Sequence, residues 1–534
     1  MGGNWVLSTH KLDNPTTSNV AMMFPAILTV VSFFAVVLIC AFSSYRRREE
    51  DKARPVPTYP IVGSAFFFWK NRGRFSQCFT ELLRDAPSNT IKFQRPSGKM
   101  AIVTANPANV EHILKTRFEI YPKGDYNRLV MNDLLGDGIF NADGEAWKFQ
   151  RKVASYEFNT RSLRDFIAET VNGEVVQRLL PLLRKAALQG KSSLDMQDVL
   201  KRFAFDNICK VAFGADPACL DISLPQSHFM EAFDTATYLT AERFFTPLPI
   251  SWKLKRLLNV GSERHLSQAI RSVHLFAEDL MKRRNKELSL SSAAEPEDLL
   301  SRFLSLHRSS EGESYGDFVR DIVISFILAG RDTTSAALTW FFWLLSSHPH
   351  VEKNIELEVK RVIAARDEIS SGFSYEELKE MNYLQASLCE SMRLYPPVPS
   401  DSKEALQDDV LPDGTIVSKG TRVTYHPYAM GRMESIWGAD CLEFKPERWL
   451  KKGDNGSLVC VAENAFKYAV FQAGPRICLG KEMAFTQMKC IVASVITEFR
   501  LDVDPNLKPK FVSTLTSGMS GGLYVKVVEK TKED

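Results

Sequence analysis

The stretch Phe471-Gln472-Ala473-Gly474-Pro475-Arg476-Ile477-Cys478-Leu479-Gly480 sets a cysteine among glycines, directly ahead of a helical pattern from Lys481 to Phe499. Glycines let the backbone turn tightly around a sulfur, so that amide N–H groups can point at it. A helix beginning just beyond brings its positive end close to the same sulfur. Both features suit a thiolate on iron, which pushes electron density onto the metal and favours O–O cleavage. Phe471 can cover the sulfur, and Arg476 can reach a haem propionate. The competing reading is an inert buried cysteine, the default for a lone one. Five fixed residue types within these ten positions arise by chance in roughly one chain in several thousand at average composition. The inert reading loses.

Working outward, Asp317 to Leu345 reads as one long, almost wholly apolar helix, which implies burial. Its middle is Ala329-Gly330-Arg331-Asp332-Thr333-Thr334. Charges inside a buried helix are costly unless paired, so Arg331 and Asp332 need a reason to be there. Gly330 gives dioxygen room to approach the backbone. A purely structural alternative has the threonine bonding a carbonyl one turn back and the aspartate held in a salt bridge. Further on, Glu390 and Arg393 share one helix face before Pro396-Pro397. Phe444-Lys445-Pro446-Glu447-Arg448-Trp449 follows, and Trp147 and Arg151 are spaced by four on an earlier helical stretch.

In order and spacing these elements resemble the cytochrome P-450 superfamily, with its FxxGxRxCxG, AGxDTT, ExxR, PERW and WxxxR patterns, over nearly everything after residue 42. The resemblance implies a mainly α fold with a small β portion, and haem b whose iron is ligated by Cys478. It implies that Asp332 passes protons inward and that Thr333 hydrogen-bonds bound oxygen or a water. Trp147 and Arg151 become propionate contacts, and Phe471 and Gly480 cofactor contacts. Glu390, Arg393 and Arg448 become a structural network. Lys403 stands where arginine is common in the family; a point charge can still bind a carboxylate, without the fork geometry.

The stretches Tyr395 to Ser402, Tyr428 to Gly438 and Phe471 onward resemble the plant clan of fatty-acid ω-hydroxylases, and within it the 94 family. That likeness implies oxidation of chain ends: terminal or near-terminal carbons of fatty acids, with jasmonoyl-isoleucine and sterol side chains as alternatives. It also implies NADPH–cytochrome P-450 reductase as the electron donor. The chain has no dinucleotide fingerprint of its own, since Gly136-Asp137-Gly138 lacks the third glycine and a preceding strand. A haem-thiolate isomerase of lipid hydroperoxides is the rival of another class, and a haem-based sensor a third. Intact Asp332 and Thr333 favour the monooxygenase. The pocket is expected from Asn127 to Asn141, Phe326 to Ala329, Val398 to Ser402 and Ser513 to Met519, all mostly apolar. A fatty acid would need a cation or several donors for its carboxylate, and the sequence does not single one out.

Residues Ala21 to Phe42 carry no charge over 22 positions. A helix of that length is about 33 Å long, enough to cross a hydrocarbon core of about 30 Å. Arg46, Arg47, Arg48, Lys52 and Arg54 follow it, so positive-inside logic leaves the rest of the chain in the cytosol. The expected organisation is a lumenal tail over 1–20, an anchor over 21–42, a basic and proline-rich linker over 43–63, and one domain over 64–534. That is a single-pass protein of the endoplasmic reticulum, touching membrane lipid. Nine scattered cysteines without a CxxC pair fit a reducing compartment. A net charge of +3, from 67 basic and 64 acidic residues, gives no sign of nucleic-acid binding.

Overall fold

The computed structural model describes residues 56–59, 62–158, 161–190, 193–290, 298–308, 314–366, 372–453 and 456–531. The tail, the anchor and the basic part of the linker lie outside the described residues. Where the proline-rich segment becomes visible it is docked: Val56 is buried, and Tyr59 and Gly63 exchange backbone hydrogen bonds of 2.8 and 2.9 Å.

The fold is mostly helical with a small sheet portion, as the sequence indicates. Its principal sheet has four strands: β1 (Thr90–Gln94), β2 (Met100–Thr104), β3 (Asp401–Glu404) and β4 (Arg422–Tyr425), in the order β1-β2-β4-β3. Only the β2–β4 pair is parallel. Register aligns Phe93, Ala101, Arg422 and Glu404 in one row, and Ile91, Val103, Thr424 and Ser402 in another. The turn signals at Pro412-Asp413-Gly414 close a small hairpin of Asp409–Val410 with Ile416–Val417. The strand pattern just beyond joins the main sheet as β4.

The helices that matter for the site are α1 (Ala65–Lys70), α2 (Gly144–Phe158), α3 (Met196–Phe213), α4 (His228–Phe245), α5 (Pro249–Leu258), α6 (Ser314–Ile327), α7 (Thr333–Ser346), α8 (Asn382–Leu394) and α9 (Lys481–Glu498). The long central helix expected over Asp317 to Leu345 is interrupted. A π turn over Leu328–Asp332 joins α6 to α7. Such single-turn bulges often mark functional sites, because the extra residue widens the helix locally. The pattern from Arg161 to Leu188 is broken likewise, by a π turn at Val175–Leu179 ahead of Pro181, which cannot donate the next backbone bond.

A large helical core packs around α3, α7, α8 and α9, and a smaller one, with Val423, Ile102 and Leu114, lies against the sheet. Between sheet and helices lies a cavity of about 560 Å³.

Candidate active site

The thiolate loop closes on itself through a bond from the Cys478 N–H to the Phe471 carbonyl, 2.8 Å. Gly474 has φ +65, and a Cβ there would lie 2.1 Å from the Leu114 carbonyl oxygen, so only glycine fits. Gln472 adopts φ +62 without being glycine, a strained conformation of the kind that gathers at functional sites. Its side chain donates to Asp401 Oδ2 at 2.6 Å.

Cys478 faces the cavity and is exposed to it, though far from bulk water. Burial pushes its thiol up, while the Gly480 amide, Arg151 and Lys481 pull it back down. Gly480 caps α9 and lines the cavity, and a Cβ there would meet nothing within 4 Å. Phe471 packs on Phe485 with centroids 5.2 Å apart, walling one side of the loop. The eight described cysteines are all free thiols.

Above the loop passes the π turn. Between residues 321 and 342, only Ala329, Gly330 and Thr333 are not buried, and all three line the cavity. The helix therefore opens one narrow window onto the space over Cys478. The Thr333 hydroxyl donates to the Ala329 carbonyl at 2.6 Å. Asp332 is buried and accepts from Arg331 Nη1 at 2.8 Å. Burial pushes the Asp332 carboxyl up, opposed by Arg331. Arg331, wholly buried, also donates to Asp234 at 2.5 Å, and Asp234 meets Lys201 at 2.9 Å. Removing a charge from water costs several kcal/mol, so Arg331 requires both carboxylates. The threonine and aspartate thus show the bonds of the structural alternative, while Thr333 keeps its acceptor lone pairs toward the cavity. Gly330 also has a packing reason: a Cβ there would lie 2.5 Å from the Ile208 side chain, so the glycine admits α3.

Along another wall the expected basic groups gather. Trp147 is buried, and Arg476 sits over its ring at 4.4 Å while donating to Asp143 at 2.7 Å. Arg151 lines the cavity and makes no hydrogen bond or ion pair among the described residues. Burial lowers its pKa, and Arg476 adds to this while Cys478 opposes it. A desolvated guanidinium without a counter-ion, an indole N–H and a cavity-facing thiol form a donor set that fits haem: sulfur to iron, cations to propionates.

Lys403 departs from this. Ser402 lines the cavity, bonded to Thr424 at 2.7 Å, whereas Lys403 lies behind the lining, next to Asp401. Its ammonium is wholly buried on Asp401, 3.1 Å away. Asp401 also accepts from Lys123 at 3.0 Å and Tyr425 at 3.2 Å. Burial pushes the Asp401 carboxyl up, but Lys123 and Lys403 outweigh it and hold it well below the usual range. Burial lowers Lys403 to about 7. The lysine beside the cavity here is Lys123, which sequence reasoning missed because its motif carries no spacing signal.

The Glu390–Arg393 pair is bidentate, at 2.7 and 2.8 Å, and wholly buried. Arg393 donates to the carbonyls of Gly431, Cys441 and Glu443, and Glu390 accepts from Trp449 and Arg448. This knot holds α8 to the segment that leads into the thiolate loop.

The family pattern for cytochrome P450 matches residues 54–522. Cytochrome P450 94A1 of Vicia sativa is 51% identical over 476 residues, 89% of this chain and 90% of that protein. Cytochrome P450 94B1 of Arabidopsis thaliana is 48% identical over 96% of this chain and 99% of its own. Among solved structures, the cytochrome P450DA heme domain shares the fold, with a TM-score of 0.72 at 21% identity over 90% of this chain and 98% of that one. So long a match, on a site built around a cavity-facing cysteine, makes this chain a member of the cytochrome P450 family, a haem-thiolate monooxygenase similar to the 94 branch.

Proposed function

We propose that this enzyme oxidises the terminal or near-terminal carbon of a hydrophobic chain, a fatty acid or other lipid chain end, with NADPH–cytochrome P450 reductase as donor. Jasmonoyl-isoleucine and a sterol side chain are the alternative substrates. The observation that carries the reading is the narrow window at Ala329, Gly330 and Thr333, set in an otherwise apolar wall that includes Phe326, Leu328 and Ala337. Such a window suits the slim end of a chain better than a broad ring face. All four segments expected to form the pocket contribute to the cavity.

Haem, held through Cys478, would supply dioxygen activation. The protein's own share is positional and protonic. Apolar walls exclude water, Arg151, Trp147 and Arg476 would hold the haem propionates, and Thr333 offers acceptor lone pairs to a water or to oxygen. Burial favours the protonated form of the Asp332 carboxyl, opposed by Arg331, which also ties Asp332 to Asp234 and so to the part-exposed side of the helix.

An exposed apolar face supports membrane contact: Phe66 and Trp69 on α1, and Ile250, Leu254, Leu257 and Leu258 on α5. We place the protein on the endoplasmic reticulum membrane, catalytic part toward the cytosol. The test of the reaction is incubation with reductase, NADPH and saturated acids under isotopically labelled dioxygen. A terminal or penultimate alcohol carrying one labelled oxygen supports the reading; mid-chain products alone refute it.

A further inference from the structure

The face of the sheet that lines the cavity carries an unexpected charge. Arg422 on β4 and Arg95, just after β1, both border the cavity, and both guanidinium groups approach the ring of Tyr126. Their distances to its centroid are 4.4 and 5.1 Å, respectively. Two like charges on one ring repel each other. Burial pushes Arg422 down to about 9, and Arg95 adds to that.

Neither guanidinium forms a hydrogen bond or ion pair with a carboxylate among the described residues, and Arg422 Nη2 is buried without any partner. Glu404 faces Arg422 in strand register and lends it charge, but makes no ion pair with it. Among the described residues the three fully buried arginines are all paired, Arg243 with Glu263, Arg331 with Asp332 and Asp234, Arg393 with Glu390, whereas the part-buried cavity arginines Arg95, Arg422 and Arg151 are not among those pairs. A desolvated cation pair left open to a cavity asks for an anion from outside. Arg95 and Arg422 act on each other and on Tyr126, a group distinct from the Arg151 and Arg476 wall, whose neighbours are Cys478, Asp143 and Asp401. Around the pair the wall is apolar, with Phe68, Phe93, Phe245 and Pro247.

We propose that Arg95 and Arg422, braced on Tyr126, bind the carboxylate of a long-chain acid or acyl-amino acid and so direct its far end toward Cys478 and Thr333. This deepens the chain-end reading and rests on it. It also supplies the cation for a substrate carboxylate that the sequence did not single out. Fork-shaped guanidinium groups match a carboxylate better than ammonium would.

The test uses full-length, haem-loaded enzyme and substrate-binding difference spectra with dodecanoic acid and its methyl ester, which differ only at the anchored end. In the unmodified enzyme the acid binds about tenfold or more tightly than the ester. In Arg422→Gln and Arg95→Gln that preference shrinks toward one, while the ester's affinity holds. Arg422→Lys, which keeps the charge, falls between, and the reduced carbon-monoxide spectrum verifies that each variant is folded. Equal binding of acid and ester by the unmodified enzyme overturns the proposal, as does equal weakening of both by the substitutions. Product analysis separates this from the chain-end reading. If the ester is oxidised at its terminus and the acid has no advantage, only the anchor fails. If the acid's advantage depends on Arg422 but oxidation falls mid-chain, only the chain-end reading fails.

Discussion

The hydroxyl of Thr333 donates to the carbonyl of Ala329, 2.6 Å away, across the π turn that opens the central helix. Its hydrogen is committed, so toward the cavity the side chain acts as an acceptor. It can hold a water or oxygen in place but has no hydrogen to give while that bond lasts.

Thr333→Ala removes that acceptor while barely changing helix propensity. NADPH consumption is expected to continue, product per NADPH to fall several-fold, and hydrogen peroxide to rise in step. Thr333→Ser keeps the oxygen and should couple nearly as well as the unmodified enzyme. Paired NADPH, peroxide and product assays check this; unchanged coupling in the alanine variant removes Thr333 from proton delivery.

Arg476 and Lys403 should separate cleanly. Arg476→Gln takes a cation from beside Trp147 and is expected to speed haem loss about tenfold. Lys403→Met, set behind the cavity lining, should lower stability without speeding haem loss. Haem transfer to an acceptor apoprotein, measured beside a denaturation curve, distinguishes them. Faster haem loss in the Lys403 variant would restore it as a propionate contact.

Breaking the buried knot leaves an unpaired charge. Glu390→Ala is expected to lose about 3–5 kcal/mol, enough to abolish most haem-loaded protein. Arg448→Lys, at the partly exposed edge of the knot, should cost far less. Yields and denaturation midpoints of the two, if equal, would contradict the ranking.

Burial lowers His426 to about 3 and His274 to about 4. The unfolded chain takes up these protons near pH 6.5 and the folded chain does not, so stability falls as pH drops below 6.5. Between pH 6.5 and 5, where few carboxylates titrate, His426 alone contributes up to about 1.5 kcal/mol of that fall. His426→Gln should flatten the pH dependence of the denaturation midpoint over this window; an identical slope would show that His426 titrates normally.

The thiolate loop, the Glu390–Arg393 pair and the Trp147–Arg151 pair were legible in the sequence because each is a local spacing fixed by one chemical demand. The π turn at Leu328–Asp332 was not, because α and π geometries share the same apolar pattern and differ by one residue in a packed setting. The partner of Lys403 was not legible, because Asp401 meets it only where β3 is folded beside β4. Arg95, Tyr126 and Arg422 come together from three distant segments, so no motif could reveal them.

The central claim is that Cys478 holds the haem iron at this cavity. The reduced carbon-monoxide absorbance of Cys478→Ala, on protein shown to be folded and haem-loaded, tests it directly. The account requires loss of the red-shifted band that thiolate ligation produces; retention of that band would contradict it.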